Sequence, residues 1–452
     1  MVVKLLAFQA ALLKAIPANL ESPKFLLAVS GGLDSMVLTD LFSRCDWSFG
    51  IAHCNFQLRG EASNEDAIFV QKKAQALRVN FHVTNFKTKT YAALNKLSTQ
   101  EAARKLRYEW LEEIRSKNNY DYLITAHHLD DSLETFLFNF AKGSGLKGLL
   151  GIPAKNGPIL RPLLGFSRAE LEIYYSRKKL NHREDASNSS DDYDRNKIRH
   201  QVIPVLKDIN PALLTSVAAN LEHLKDSYLL FQHQVKQLEQ QILVKNDDQI
   251  LIQSSLLMAH PARRTLLYEW LKPQAFHPNQ IPQILDCIVR EKTGAIFYAS
   301  KHRLLVNRDQ LLVEPIPLNE NLVFQLETYP QTITLPEGDL IIEKIKVPPI
   351  FQNNPYIAYL AIAPLAFPLI IRRWQAGDQF CPLGMQGQHK KVQDLLSDLK
   401  INRFEKDRIW IVENGNKEIC WVMGMRLDDR YKVYPSDEYC LQLSFQKRNL
   451  SN

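Results

Sequence analysis

The chain reads as an α/β protein: a doubly wound parallel sheet, followed by a helical domain and a small α+β C-terminal domain. Three observations predict this. Over the first 150 or so residues, short apolar runs alternate with amphipathic stretches, the rhythm of βαβ units and a parallel sheet. That rhythm stops after Gly151, and 213–315 reads as mostly helical, closing in a hairpin over Ala295–Val313. Strand-like and helix-like runs then share a compact stretch near the C-terminus. The expected organisation is a catalytic domain at 1–212, a mostly helical domain at 213–315, a proline-dotted extended connector at 316–365, and an α+β domain at 366–446.

The elements follow in order. Phe25–Val29 reads as a buried strand leading into a helix over Asp34–Phe42, and Phe49–His53 as the next strand. A helix to about Arg78 is expected to open at Ser63, where Ser63 and Asp66 approach a capping box. Phe81–Thr84 is a third strand, and Ser98-x-x-Glu101 caps a helix to about Lys117. Tyr122–Ala126 is a fourth strand, followed by a helix over Asp131–Ala141. Ser167-x-x-Glu170 caps another helix to about Lys179, the polar stretch 184–194 reads as a loop, and Asn196 to about Val244 reads as helix interrupted at Pro204 and Pro211.

Composition narrows the class. With 452 residues, 45% hydrophobic and 23% charged, the chain is long enough to bury a large core without staples. The formal charge of +7 permits a nucleic-acid partner without requiring one. The six cysteines, at 45, 54, 287, 381, 420 and 440, are scattered and include no C-x-x-C pair. That argues against a zinc ribbon, a redox pair or a secreted scaffold and fits a reducing cytoplasm. No signal peptide is expected, and no apolar run approaches the roughly 18 residues of a membrane span.

Chemistry concentrates first in Ser30-Gly31-Gly32-Leu33-Asp34-Ser35, between a buried strand and a helix. Glycines allow close backbone approach to an anion, and a helix N-terminus offers unpaired N–H groups to it. Ser30 and Ser35 add hydroxyl donors. Asp34 would repel a phosphate unless Mg²⁺ sits between them. A plain Gly-Gly turn with capping side chains is the simpler alternative, but the whole string in this setting favours a nucleotide pyrophosphate. G-x-x-x-x-G-K-[ST] is absent. Gly143-Ser144-Gly145-Leu146-Lys147-Gly148 matches G-x-G-x-x-G but follows a helix, so it is set aside as a dinucleotide site.

The second constellation is Thr125-Ala126-His127-His128-Leu129-Asp130-Asp131-Ser132-Leu133-Glu134. It lies where the fourth strand ends, and ligands of open α/β sheets bind at such carboxyl ends. Asp130, Asp131 and Glu134 share a helix face and could hold Mg²⁺ or a cationic amine, or simply cap the helix. Zinc from adjacent His127 and His128 is not expected. Arg104 and Arg107 share a face of the third helix and could neutralise phosphate, or form a solvated basic face.

These strings together resemble the tRNA(Ile)-lysidine synthase family of PP-loop N-type ATP pyrophosphatases. The resemblance runs almost end to end: SGGLDS, then His53-Cys54-Asn55-Phe56-Gln57-Leu58-Arg59, EAARKLRY, TAHHLDDSLETF, GSGLKGL and Arg161-Pro162-Leu163-Leu164 in family order. Glu184 to Asn188, Tyr193 to Arg199, and C-terminal signposts from Arg372-Arg373 through Pro382-Leu383-Gly384-Met385 and Lys390-Lys391 to Arg426 complete it. It implies an adenine nucleotide alpha-hydrolase-like sheet and a ligase that forms a carbon–nitrogen bond. ATP would adenylate the C2 oxygen of the wobble cytidine in an isoleucine tRNA with a CAU anticodon. Free L-lysine would then displace AMP through its ε-amine.

Carried onto this chain, the resemblance implies ATP contacts from Ser30, Gly31, Gly32, Leu33, Asp34, Ser35 and His53, with Mg²⁺ on Asp34 and Asp131. Asp130, Asp131 and Glu134 become the carboxylates for the lysine amine; they and His127 are the candidate bases. Arg104 and Arg107 would stabilise pyrophosphate or activated cytidine. Arg195, Arg199, Lys390, Lys391 and Arg403 become tRNA contacts, although 370–410 holds eight Lys/Arg against five Asp/Glu, an excess of three that also suits a solvated surface. His182, Asn402 and Trp410 depart from the family pattern. Oligomeric state stays open, a homodimer included. The rival readings are a PP-loop tRNA thiolation enzyme, which would need sulfur-carrying cysteines, an amidotransferase-type synthetase and a non-enzymatic tRNA-binding module.

Overall fold

Apolar runs near the N-terminus form parallel strands because helices bury both faces of their sheet. The computed structural model describes residues 3–183, 194–246, 248–317 and 322–448. The chain divides into two compact units, 1–232 and 233–452.

The first unit begins with α1 (Leu5–Leu13), β1 (Lys24–Ala28), α2 (Leu33–Ser43), β2 (Ser48–Asn55), α3 (Glu61–Leu77) and β3 (Phe81–Asn85). It continues with α4 (Thr88–Asn95), α5 (Thr99–Lys117), β4 (Tyr122–Ile124), α6 (Leu129–Ala141), β5 (Lys155–Asn156), β6 (Ile159–Leu160) and α7 (Arg168–Lys178). The strand order is β3-β2-β1-β4-β6-β5, parallel except for the β5–β6 edge. The expected doubly wound sheet is therefore present. β5 and β6 add strands too short to show a period in the sequence.

One face of the sheet packs Phe25, Leu27 and Ile51 against Val37, Leu38, Leu41 and Phe42 of α2. Each such fully buried side chain contributes roughly 1.5–3 kcal/mol. The other face packs Leu26, Ala52 and Leu123 against Leu111 of α5. β2 needs glycine at 50, because a Cβ there would lie 2.1 Å from the Tyr120 hydroxyl.

Two of the three expected capping boxes form, at Ser98–Glu101 and Ser167–Glu170. The third does not. α3 starts two residues early, after Gly60 at φ +57°. Ser63 sits inside the helix and accepts from the Arg59 amide at 3.2 Å. Of the polar stretch 184–194, residues 184–193 lie outside the described residues and Asp194 opens α8 (Asp194–Lys197). A π-helical turn leads to α9 (Ile203–Ile209), and then comes α10 (Leu213–Ile242). Pro204 does not break this path, since it lies in the first turn of α9, where a missing N–H costs nothing. The break falls at Pro211, where the path bends by 96°. No single helix among the described residues is long and apolar enough to cross a membrane.

The second unit contains β7 (Leu243–Asn246), β8 (Gln249–Gln253), α11 (Ser254–Ala259), α12 (Arg263–Leu271), α13 (Gln280–Val289), β9 (Ile296–Tyr298), β10 (His302–Asn307) and β11 (Gln310–Pro315). The strands form a sheet in the order β7-β8-β11-β10-β9. Helices α10 to α13 occupy more than half of 213–315, and the expected hairpin is present as β10–β11, which β7, β8 and β9 extend into an antiparallel sheet.

Next come β12 (Val323–Leu326), β13 (Gln331–Leu335), β14 (Gly338–Lys346), β15 (Ile357–Ala361), β16 (Leu369–Arg373), β17 (Gln379–Phe380), β18 (Lys390–Lys391), α14 (Val392–Asp398) and α15 (Arg403–Lys406). The chain ends in β19 (Trp410–Glu413), β20 (Ile419–Val422), β21 (Arg426–Leu427) and β22 (Tyr439–Lys447). Here the expectation for 316–365 needs correcting. The segment is extended, but it is not a connector. β12 pairs with β16, and β14 and β15 flank β22. Leu326, Leu335, Leu340, Ile342 and Leu360 share one core with Leu369, Trp421 and Leu441.

Candidate active site

The phosphate loop leaves β1 and enters α2. Gly31 has φ +94°, a conformation that favours glycine. Ser35 Oγ donates to Gly32 O at 2.8 Å and accepts from the Gly31 amide at 3.1 Å, closing the loop on itself. The Gly32 amide donates to Ser30 Oγ at 3.3 Å. On the far side, the Arg183 amide donates to Gly31 O at 3.0 Å, while its guanidinium reaches Asp66 at 2.5 Å and Glu65 at 2.6 Å. His53 is buried, and its Nδ1 lies 2.9 Å from Val29 O, fixing the strand end that feeds the loop.

The acidic strand end meets this loop, because β4 lies beside β1 in the sheet. Asp131 Oδ2 accepts from the His128 amide at 2.9 Å and caps α6. The His128 ring is buried among three carboxylates, 3.8 Å from Asp34, 3.6 Å from Asp130 and 3.6 Å from Asp131. Burial opposes its charge, but Asp130, Asp131 and Asp34 outweigh that and raise its pKa above the ordinary imidazole value. Asp130 also accepts from the Arg168 amide at 2.8 Å, tying α6 to α7. Burial would raise its pKa, but His128, Arg168 and Lys207 bring it below the usual range.

Two arginines complete the acidic side. The Arg168 guanidinium forms an ion pair with Asp34 across 134 residues of sequence. Arg199 holds Glu134 through both oxygens, at 2.5 and 2.9 Å, and lies 3.7 Å from Asp131. Arg199, expected as a tRNA contact, is thus part of this cluster, and Glu134, expected as a carboxylate for the amine, is committed to a guanidinium. Arg195 donates to Thr135 at 2.9 Å, one turn along the same helix. His128 and Arg168 were missed as site residues; the signals open to a reader were the doubled histidine and the arginine at the first position of a well-capped helix.

The opposite side is basic. His127 Nδ1 lies 2.8 Å from Thr125 Oγ1. Burial pushes its pKa down to about 4, Arg161, Arg104 and Arg107 push the same way, and Asp131 opposes them. At neutral pH His127 is therefore uncharged and a weak base. Arg104 and Arg107 are exposed on α5, each over an aromatic ring, Tyr108 at 5.0 Å and Phe56 at 5.2 Å, and neither has a carboxylate partner among the described residues.

Among the described residues, no group of three or more His, Cys, Asp or Glu side chains forms a metal cage. Mg²⁺ does not need one, since it commonly takes one or two carboxylates together with water and substrate phosphates. Asp34 Oδ1 suits that role: it is buried and has no hydrogen-bond partner.

The remaining expected residues lie in the second unit. Lys390 pairs with Asp398 at 2.6 Å, Arg403 donates to Gly294 O at 3.1 Å, and Lys391 stands exposed before α14. The departures from the family pattern are well housed. His182 stacks edge-on against Tyr175, Asn402 caps α15 through the Phe404 and Glu405 amides, and buried Trp410 donates to Glu337 at 2.8 Å.

Comparison with known proteins bears on the whole chain. The PP-loop domain family matches residues 5–206, the TilS substrate binding domain 245–316, and the TilS substrate C-terminal domain 369–443. The chain is 37% identical over 427 residues to the tRNA(Ile)-lysidine synthase of Parabacteroides distasonis, covering 94% of this chain and 96% of that one. It is 35% identical to the Bacteroides thetaiotaomicron protein of the same name, with 92% and 93% covered. Against the Porphyromonas gingivalis protein of that name it is 33% identical, again with 92% and 93% covered. The chain belongs to the tRNA(Ile)-lysidine synthase family.

Proposed function

We propose that this chain ligates lysine to C2 of the wobble cytidine of the CAU-anticodon isoleucine tRNA, with ATP converted to AMP and pyrophosphate. The observation that carries the reading is the meeting of a lysine-free phosphate loop with an acidic helix start at the carboxyl ends of two neighbouring strands. The first is built for a nucleotide pyrophosphate and the second for a cationic amine.

In the first step the cytidine C2 oxygen bonds to the α-phosphorus of ATP and pyrophosphate leaves. The Gly31 and Gly32 backbone, Ser30 and Ser35 bind the departing pyrophosphate, while His53 holds the strand end beneath the nucleotide. Asp34, with Asp131 as a second contact, would hold Mg²⁺, which neutralises phosphate charge when bound. Arg104 and Arg107 face the developing negative charge, as preorganised cations do in such sites.

In the second step the lysine ε-nitrogen bonds to C2 and the C2–oxygen bond to AMP breaks. An ammonium is not a nucleophile, so its proton must first leave. Asp130, Asp131, Glu134 and His127 are the candidate acceptors at the start of α6; of these Glu134 is held by both donors of Arg199 and Asp130 by the Arg168 amide. Lys391, Lys390, Arg403 and Arg195 are the tRNA contacts in this reading, and the six free thiols suit the cytoplasm, where the tRNA is found.

The test is release of AMP and pyrophosphate with purified protein. AMP should appear, and pyrophosphate should be released over many turnovers, only when isoleucine CAU tRNA and lysine are present together. Equal turnover on a methionine tRNA carrying the same anticodon would overturn the specificity.

A further inference from the structure

We propose that Arg161 binds the α-carboxylate of the free lysine, setting the acceptor as an amino acid rather than a simple amine. The inference rests on the function proposed above.

Arg161 follows β6 directly and is only 7% exposed. Among the described residues it has no carboxylate partner. NH1 donates to Pro153 O at 2.7 Å, and Nε is buried with nothing to bond. A buried guanidinium left without an anion is costly, so its persistence argues for an anionic ligand.

The sheet tells which anion. β6 is on the far side of β4 from β1, so the phosphate loop and Arg161 flank the acidic strand end from opposite sides. The β4–β6 register pairs Ile124 with Leu160, which brings Arg161 beside Thr125, the residue that holds His127. Strands are spaced about 4.8 Å apart. An acceptor whose ε-nitrogen sits at the acidic helix start can therefore extend across to β6. There its carboxylate meets the buried Arg161 guanidinium, which has no carboxylate partner among the described residues. Arg104 and Arg107, exposed on α5, are better suited to phosphate. A guanidinium fork matches a carboxylate through two parallel hydrogen bonds, and Nε is one of the two donors such a fork uses.

The experiment compares lysine with cadaverine, which is lysine without its carboxylate, using full-length enzyme, ATP and isoleucine CAU tRNA. The unaltered enzyme should favour lysine by about 100-fold in kcat/KM, the scale of a buried charged hydrogen-bond pair. Arg161→Gln should lose that preference by raising KM for lysine, while KM for ATP and the rate with cadaverine stay near their original values. Arg161→Lys should recover part of it. Equal use of both acceptors by the unaltered enzyme overturns the proposal even if the variants fail to fold. So does full discrimination in Arg161→Gln, or a rise in the KM for ATP instead of lysine, which would assign the cation to phosphate. An unaltered enzyme that releases no AMP with lysine and tRNA would instead overturn the functional reading itself.

Discussion

Arg199 grips both oxygens of Glu134, at 2.5 and 2.9 Å, and so occupies a carboxylate at the edge of the acidic strand end. Glu134 is then a positioning residue that aims Arg199 toward Asp131. Glu134→Ala and Arg199→Ala should each lower kcat by about 100-fold, and the double variant should be no worse than either single, because the pair acts as one unit. Steady-state AMP release from the three variants decides it. Multiplicative losses would mean that the two act separately.

Asp34 carries a different burden. One oxygen meets Arg168 and the other is buried without a partner, in a loop made for phosphate. Asp34→Asn keeps the shape of the side chain but removes the charge that would hold Mg²⁺. Pyrophosphate release should fall by about 10²–10³-fold, while tRNA affinity, measured by filter binding, stays within about twofold. A variant that stayed active would remove Asp34 from metal binding.

What could be read from the sequence follows the range of the interactions involved. The phosphate loop, the alternating strands and two capping boxes depend on neighbours within a few residues, and each is legible. Arg168 meets Asp34 from 134 positions away, so its place in the site has no local signature. The stretch 316–365 misleads for the same reason. Its prolines suggest a linker, yet β14 finds its partner in β22, about a hundred residues later. Ser63 shows the converse: a correct capping pattern lost to Gly60, whose positive φ starts the helix earlier. Arg199 and Glu134 were each legible as charged site residues, but not as partners.

Asp40 links α2 to α7 and gives the fold a pH dependence. Tyr174 donates to it at 2.8 Å and Arg44 at 2.8 Å. Burial would raise its pKa, but Arg44 and Tyr174 outweigh this and hold it below the usual carboxylate value. A depressed folded pKa means that the stabilisation is present above the unfolded value, about 3.9, and is lost as pH falls through the folded one. Asp40→Asn should thus lower the urea midpoint at about pH 7, and the gap to the parent should narrow below about pH 4. A gap that stayed constant with pH would show that ionisation of Asp40 adds nothing. Tyr174→Phe should cost about 1.5 kcal/mol at neutral pH, a hydrogen bond to a charged acceptor.

The second unit depends on an ion cluster whose removal separates charge from packing. Glu314 is fully buried, accepts from Arg303 at 2.7 Å, from Arg408 at 2.7 Å and from Gln249 at 2.7 Å, and Arg303 stacks 4.1 Å over Phe404. These contacts join β10 and β11 to the segment around α15. Glu314→Leu would leave Arg303, itself 7% exposed, with only Asp407 at its outer edge. Stranding a buried cation costs about 3–5 kcal/mol, or roughly 10 °C in Tm for a unit of this size. Adding Arg303→Met should recover part of that loss, because Arg408 and Asp407, at 40% and 49% side-chain exposure, can turn to water. Thermal unfolding of the single and double variants tests this. A double variant less stable than Glu314→Leu would show that Arg303 contributes through its stacking on Phe404 more than through its charge.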